Sequence, residues 1–123
     1  MDNDLSHRVI GCAYEVSNTL GAGFSEKVYE NSLCLELENQ GISFRSQQLL
    51  DVRYKGLVVG EYIADIIVDG ELILELKAVN AICNEHKAQL MNYLKATGLQ
   101  CGLLLNFGRP KLDIKRIVWN YTE

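Results

Sequence analysis

Two acids and a lysine stand where the surrounding pattern demands apolar side chains. In Glu61-Tyr62-Ile63-Ala64-Asp65-Ile66-Ile67-Val68, strand alternation puts Asp65 on the face of Ile63 and Ile67, so that core residues flank a carboxylate. In Leu72-Ile73-Leu74-Glu75-Leu76-Lys77-Ala78, the same alternation puts Glu75 and Lys77 side by side on the face of Ile73. Burying such charges is costly unless they are paired or hold a metal. Two carboxylates at this spacing can hold a hard divalent cation that keeps waters and open positions for a phosphate oxygen. The cation polarises the phosphate and acidifies a bound water, while Lys77 positions that water or stabilises the developing negative charge. The competing reading is an interstrand salt bridge between Lys77 and either acid, and an isolated Asp-x9-Glu-x-Lys pattern leaves the two in balance.

Whether Asp65 and Glu75 meet depends on the loop between them, because a slip of one residue turns every side chain to the other face. A two-residue Asp69-Gly70 turn pairs Ala64 with Glu75 and separates the acids. A three-residue loop with Gly70 left-handed, or a bulge, puts Asp65, Glu75 and Lys77 on one face, and this is the predicted arrangement. Farther on, His86, Gln89 and Tyr93 are spaced i, i+3 and i+7 beside an apolar stripe of Leu90 and Leu94, a polar face well placed to overlook the acids. The plainer alternative is a solvated face with Tyr93 half buried and His86 a surface residue beside Glu85.

These residues need a frame. Leu5, Val9, Cys12, Ala13, Val16 and Leu20 recur at helical spacing, which predicts a helix over about residues 4–19 that ends at Gly21-Ala22-Gly23. A second helix is predicted from about Ser25 to Gln40, with Tyr29, Leu33 and Leu37 on one stripe, Glu26 in its first turn and Gly41 after its end. From Ile42 to Ala78 the period falls to two, with Gly56 and Asp69-Gly70 as turns, so three antiparallel strands and the core of the sheet are expected there. A helix over about residues 85–96, closed by Thr97-Gly98, precedes an apolar run from Gln100 to Phe107 of the kind a strand buried on both faces shows. A last strand is expected over residues 113–119. The order is α-α-β-β-β-α-β-β, a mixed α/β fold in which the third helix is a crossover.

With 123 residues, 48% of them apolar and 23% charged, the chain reads as one globular domain over residues 1–123, and disorder and fibrous repeats are excluded. Twelve basic against sixteen acidic residues give a charge of −4, which argues against a coat that neutralises many phosphates. The charge is uneven: residues 85–123 hold six basic and three acidic side chains, so a polyanion is expected to meet the C-terminal third. Cys12, Cys34, Cys83 and Cys101 form no close pair and read as reduced, mostly buried thiols. The polar start Met1-Asp2-Asn3-Asp4 has no signal or anchor character, so a cytoplasmic protein without a membrane partner is expected.

Taken together the chain resembles the GxxExxY family, a branch of the PD-(D/E)XK nuclease superfamily. The naming motif stands as Gly23-Phe24-Ser25-Glu26-Lys27-Val28-Tyr29, and the likeness continues through Leu20-Gly21, Tyr54-Lys55-Gly56, Gly60-Glu61-Tyr62, Ala64-Asp65, Glu75-Leu76-Lys77-Ala78, Gln89 to Leu94 and Gly102 to Gly108. The resemblance implies a restriction-endonuclease-like core, a mixed sheet flanked by helices with an acidic hairpin as its centre. It implies a nuclease that hydrolyses phosphodiester bonds in DNA with Mg²⁺ or Mn²⁺. Asp65 and Glu75 would be metal-binding acids, the main-chain carbonyl of Leu76 a further ligand and Lys77 the catalytic lysine. Glu26 would be the helical glutamate that reaches the metal or its water, and Gln89 with Tyr93 the Gln-x-x-x-Tyr element of a related branch. Ser17 and Ala22 stand where His and Pro are common in the family, which touches the turn before Glu26 and not the acidic centre. Two other readings stay open: a catalytically silent module that binds nucleic acid or protein, and a homodimer joined through Trp119, Tyr121 and the last strand.

Overall fold

The computed structural model describes residues 3–121; Met1 and Asp2 at the polar start, with Thr122 and Glu123, lie outside the described residues. Apolar side chains at helical spacing produce α1 (Asn3–Leu20), which turns Leu5, Val9, Cys12, Ala13 and Val16 into the core. Next comes α2 (Glu26–Asn39), burying Tyr29, Leu33 and Leu37 on the predicted stripe. The strands are β1 (Phe44–Tyr54), β2 (Leu57–Val68), β3 (Leu72–Lys77), β4 (Cys101–Asn106) and β5 (Asp113–Val118), with α3 (Asn84–Thr97) between β3 and β4.

The five strands lie in one sheet in the order β1-β2-β3-β4-β5. Every neighbouring pair is antiparallel except β3 and β4, which run parallel because α3 carries the chain back across the sheet. Helices α1 and α2 cover one face, packing on Ile66, Val68, Leu72, Leu74, Leu76, Leu103 and Leu105. Helix α3 covers the other through Leu90, Tyr93 and Leu94 against Ile67, Ile73 and Leu104. This is the mixed sheet flanked by helices that the pattern predicts.

The middle strand of the sheet is β3, within the segment expected to hold the core, and β4 lies beside it. All of β4 is buried, as its apolar run predicts, and so are five of the six residues of β3, whereas β1 is an edge strand exposed along most of its length. Alternating apolar residues mark a strand as half covered but do not say where it stands in the sheet; only runs such as those of β3 and β4, apolar at consecutive positions, mark the middle. Among the described residues no helix is long and apolar enough to cross a membrane. The described cysteines are free, with Cys12 and Cys101 buried, Cys34 half buried and Cys83, against expectation, exposed at the start of α3.

Candidate metal centre

Val68 pairs with Leu72 across a connection of three residues, 69–71. Asp69 (φ 52°) and Gly70 (φ 68°) both take the left-handed conformation, and the amide of Glu71 donates to the carbonyl of Val68 at 3.0 Å, so a tight turn is followed by one extra residue. This is the odd loop that the sequence requires for a shared site. Its register, Ile66 opposite Leu74 and Ile67 opposite Ile73, brings Asp65 opposite Glu75 one step beyond the last backbone pair.

At that step carboxylates replace the ladder. The amide of Asp65 donates to Glu75 Oε1 at 3.0 Å, and the amide of Leu76 donates to Asp65 Oδ2 at 2.8 Å. Each acid thus fixes the other's strand with one oxygen, and Asp65 Oδ1 and Glu75 Oε2 carry no hydrogen bond or salt bridge within the described residues. Strand alternation also breaks here. Ala64 and Ile67, three residues apart, both pack on the α3 side, and Ile63, expected to flank Asp65 with core, is 50% exposed. On β1, Gln47 lies between the pairs Ser46–Ile66 and Gln48–Ala64, level with Asp65, and has φ 52°. The sheet is therefore kinked at the acids, which stand where β2 parts from β3.

Burial and the neighbouring Asp65 carboxylate push Glu75, only 4% exposed, up to about 8. Burial likewise raises Asp65, with Glu30 adding to the effect, while the Leu76 amide and Lys77 oppose it. Lys77 follows on the same face of β3 as Glu75, half buried, and forms no salt bridge with either acid, so the interstrand ion pair is not what the structure builds. A buried and a half-buried acid, neither in a salt bridge, fit a hard divalent cation, which takes one or two carboxylates and keeps several waters. Among the described residues no three Asp, Glu, His or Cys side chains gather into a ready metal cluster.

Of the remaining predicted residues, Tyr93 is buried beside the pair: burial raises its hydroxyl first, and Glu75 and Asp65 add to it. Its ring lies 5.8 Å from that of Tyr62. Gln89 is exposed on the wall of a groove of about 1120 Å³ between β1 and α3, which Tyr62, Tyr93 and Asn92 also line. His86 is taken up by the start of α3, where Nδ1 accepts the Cys83 amide at 3.1 Å. Glu26 is exposed at the head of α2; its charge reaches Asp65, more weakly than that of Glu30.

Glu30, Gln47 and Asn106 were not among the expected residues. Glu30 is buried, accepts from Lys27 Nζ and Gln47 Nε2 at 2.8 Å each, and acts on both Asp65 and Glu75. Its sole signal in the sequence is its place one turn after Glu26, next to buried Tyr29. Asn106, fully buried, accepts the Val79 amide at 3.0 Å and donates to the Val79 carbonyl at 2.9 Å, clamping the segment that leaves Lys77. A polar residue closing an otherwise apolar run was its signal. Gly108 completes the clamp, since a Cβ there would lie 2.4 Å from the Val79 backbone.

A family model described as PD-(D/E)XK nuclease superfamily matches residues 3–117. No curated protein matches the chain. Among solved structures, the crystal structure of SSO0001 is similar in fold, with a TM-score of 0.61 at 17% identity over 78% of this chain. The match takes in 50% of that protein, so this chain spans about half its length.

Proposed function

The chain belongs to the PD-(D/E)XK nuclease superfamily, and from that membership we propose that residues 1–123 form one nuclease-like domain of the GxxExxY branch that hydrolyses phosphodiester bonds in DNA. The observation that carries the reading is the reciprocal exchange at Asp65 and Glu75, which locks two carboxylates to each other's backbone and leaves one oxygen of each unclaimed. A structural ion pair would spend those oxygens on a cationic side chain. This centre keeps them.

Bound Mg²⁺ or Mn²⁺ would polarise the phosphate and lower the pKa of a coordinated water. Asp65, Glu75 and the Leu76 carbonyl would hold it. Lys77 leaves β3 on the face of Glu75, where its ammonium orients the attacking water or meets the charge that develops on the phosphate. Glu26 and the Gln89–Tyr93 pair are assigned orienting roles at the margins of the centre. The β4–β5 loop brings Arg109 and Lys111 to the end of the sheet where β3 finishes, and Arg109 Nη1 donates to the Asn80 carbonyl at 3.1 Å. In this reading a phosphate backbone approaches from that end, past these basic side chains of the C-terminal third.

The test is cleavage of single-stranded, duplex and branched DNA and of RNA with Mg²⁺ or Mn²⁺. Lys77→Ala and Asp65→Asn each abolish metal-dependent cleavage while circular dichroism stays native. If every substrate survives the wild-type protein with either metal, the nuclease reading falls and a silent binding module takes its place.

A further inference from the structure

The outer half of the β1–β2 hairpin is the most apolar exposed surface of the described residues. Leu49, Leu57, Val59 and Ile63 are 53, 72, 62 and 50% exposed, and Val58 and Tyr62 add to them. The cause is topological: β3 pairs with β2 only over Ile66–Val68, so beyond Asp65 the hairpin runs on with no third strand beside it. Apolar side chains concentrated on one projecting element mark a surface that a protein partner covers.

The charges on this hairpin say which partner. Asp51 and Glu61 are direct cross-strand neighbours, a like-charge pair that is unfavourable by itself. Among the described residues only Asp51 of the two has a counter-ion, Arg53 at 3.7 Å. Arg53 lies two residues toward the tip, opposite Val58, and Lys55 follows in the turn. Acids in the middle and cations at the tip make the hairpin complementary to its own image reversed end for end.

We propose that the outer β1–β2 hairpin is the interface of a symmetric homodimer, in which two copies pack head to tail so that Arg53 of each meets Asp51 and Glu61 of the other and the Leu49–Ile63 region is covered by the opposite tip. Such an interface is isologous and closes on itself. It differs from a dimer through the C-terminal strand, because Trp119 is already packed against the α3-side core and the Tyr121 ring lies 5.6 Å from the Arg116 guanidinium. It does not depend on the nuclease reading.

Sedimentation velocity on the full chain, from micromolar to sub-millimolar concentration, tests it. The expected result is a reversible dimer that Ile63→Glu converts to monomer. Arg53→Glu alone and the double change Asp51→Lys/Glu61→Lys each weaken the dimer by about tenfold or more, and the three changes combined restore it. All four positions are exposed strand residues, and circular dichroism of each variant checks its folding. A monomer at every concentration overturns the proposal, as does a dimer that ignores these changes. A monomer whose Ile63→Glu variant loses affinity for duplex DNA also overturns it, and assigns the hairpin to nucleic acid instead.

Discussion

Glu75 governs how the folded chain responds to pH. Its carboxyl ionises near 4.5 when unfolded and is pushed up to about 8 by burial and by Asp65. Between those values the native chain holds a proton that the unfolded chain has released, so stability is greatest below the unfolded value and falls as pH rises toward 8, by at most about 1.4 kcal/mol per pH unit for one proton. Glu75→Gln keeps an oxygen to accept the Asp65 amide but cannot ionise. Urea unfolding from pH 5 to 8 is expected to show a declining midpoint for the wild type and a shallower decline for Glu75→Gln, in which raised Asp65 remains; equal slopes would refute the buried acid. Saturating Mg²⁺ is expected to reduce the wild-type decline, because the cation stabilises the ionised pair. The residues of this centre were legible in the sequence to different degrees. Asp65, Glu75 and Lys77 stood out because a charge amid alternating apolar residues violates a rule. Glu30 and Gln47 broke none: a glutamate on a helix and a glutamine on a strand are ordinary, and only the kink in β1 brings them together at 2.8 Å.

The elements were easier to read, since period and turn residues specify each one locally. The loop at Asp69-Gly70-Glu71 is where local sequence decided long-range geometry, because its odd length puts Asp65 opposite Glu75. Deleting Glu71 leaves a two-residue Asp-Gly turn that still sets Val68 opposite Leu72, so the acids keep their register. Deleting Leu72 instead keeps the three-residue loop but sets Val68 opposite Ile73 and Ile66 opposite Glu75, driving Glu75 into the packing of α1 and α2. The Leu72 deletion is expected to lose cooperative thermal unfolding or to lose metal binding outright, whereas the Glu71 deletion retains both. The motif tyrosine, Tyr29, also acts at this scale. Its hydroxyl donates to the Gly21 carbonyl at 2.6 Å and accepts the Phe24 amide at 3.1 Å, while its ring stacks on Phe107 at 4.8 Å. Tyr29→Phe keeps the ring and strands a backbone amide and a carbonyl, which costs about 1–3 kcal/mol in denaturant unfolding. The position of β1 at the sheet edge was not legible, because a strand's neighbours are set by every other strand at once.

Over the whole molecule, the net charge of −4 opposes any polyanion, yet its distribution concentrates the problem at one place. Asp65 and Glu75 occupy the parting of β2 and β3, with Glu30 and Glu26 near enough to raise Asp65. Arg109 and Lys111 stand at the end of the sheet where β3 and β4 finish. A phosphate approaching this end meets cations at the rim and acids at the centre, and the centre dominates unless its charge is neutralised. Duplex DNA is therefore expected to bind weakly without metal and more tightly with Mg²⁺. Asp65→Asn/Glu75→Gln removes the negative charge and the cation ligands together, so its metal-free binding is expected to exceed that of the wild type and to lose its response to Mg²⁺. Fluorescence anisotropy with a labelled duplex at fixed ionic strength reads both effects. If the double variant binds no better than the wild type without metal, the acids do not control access, and the affinity is set by the basic rim alone. Arg109→Glu/Lys111→Glu separates the contributions: it is expected to weaken binding with and without Mg²⁺ by a similar factor, because it alters the rim and leaves the centre intact.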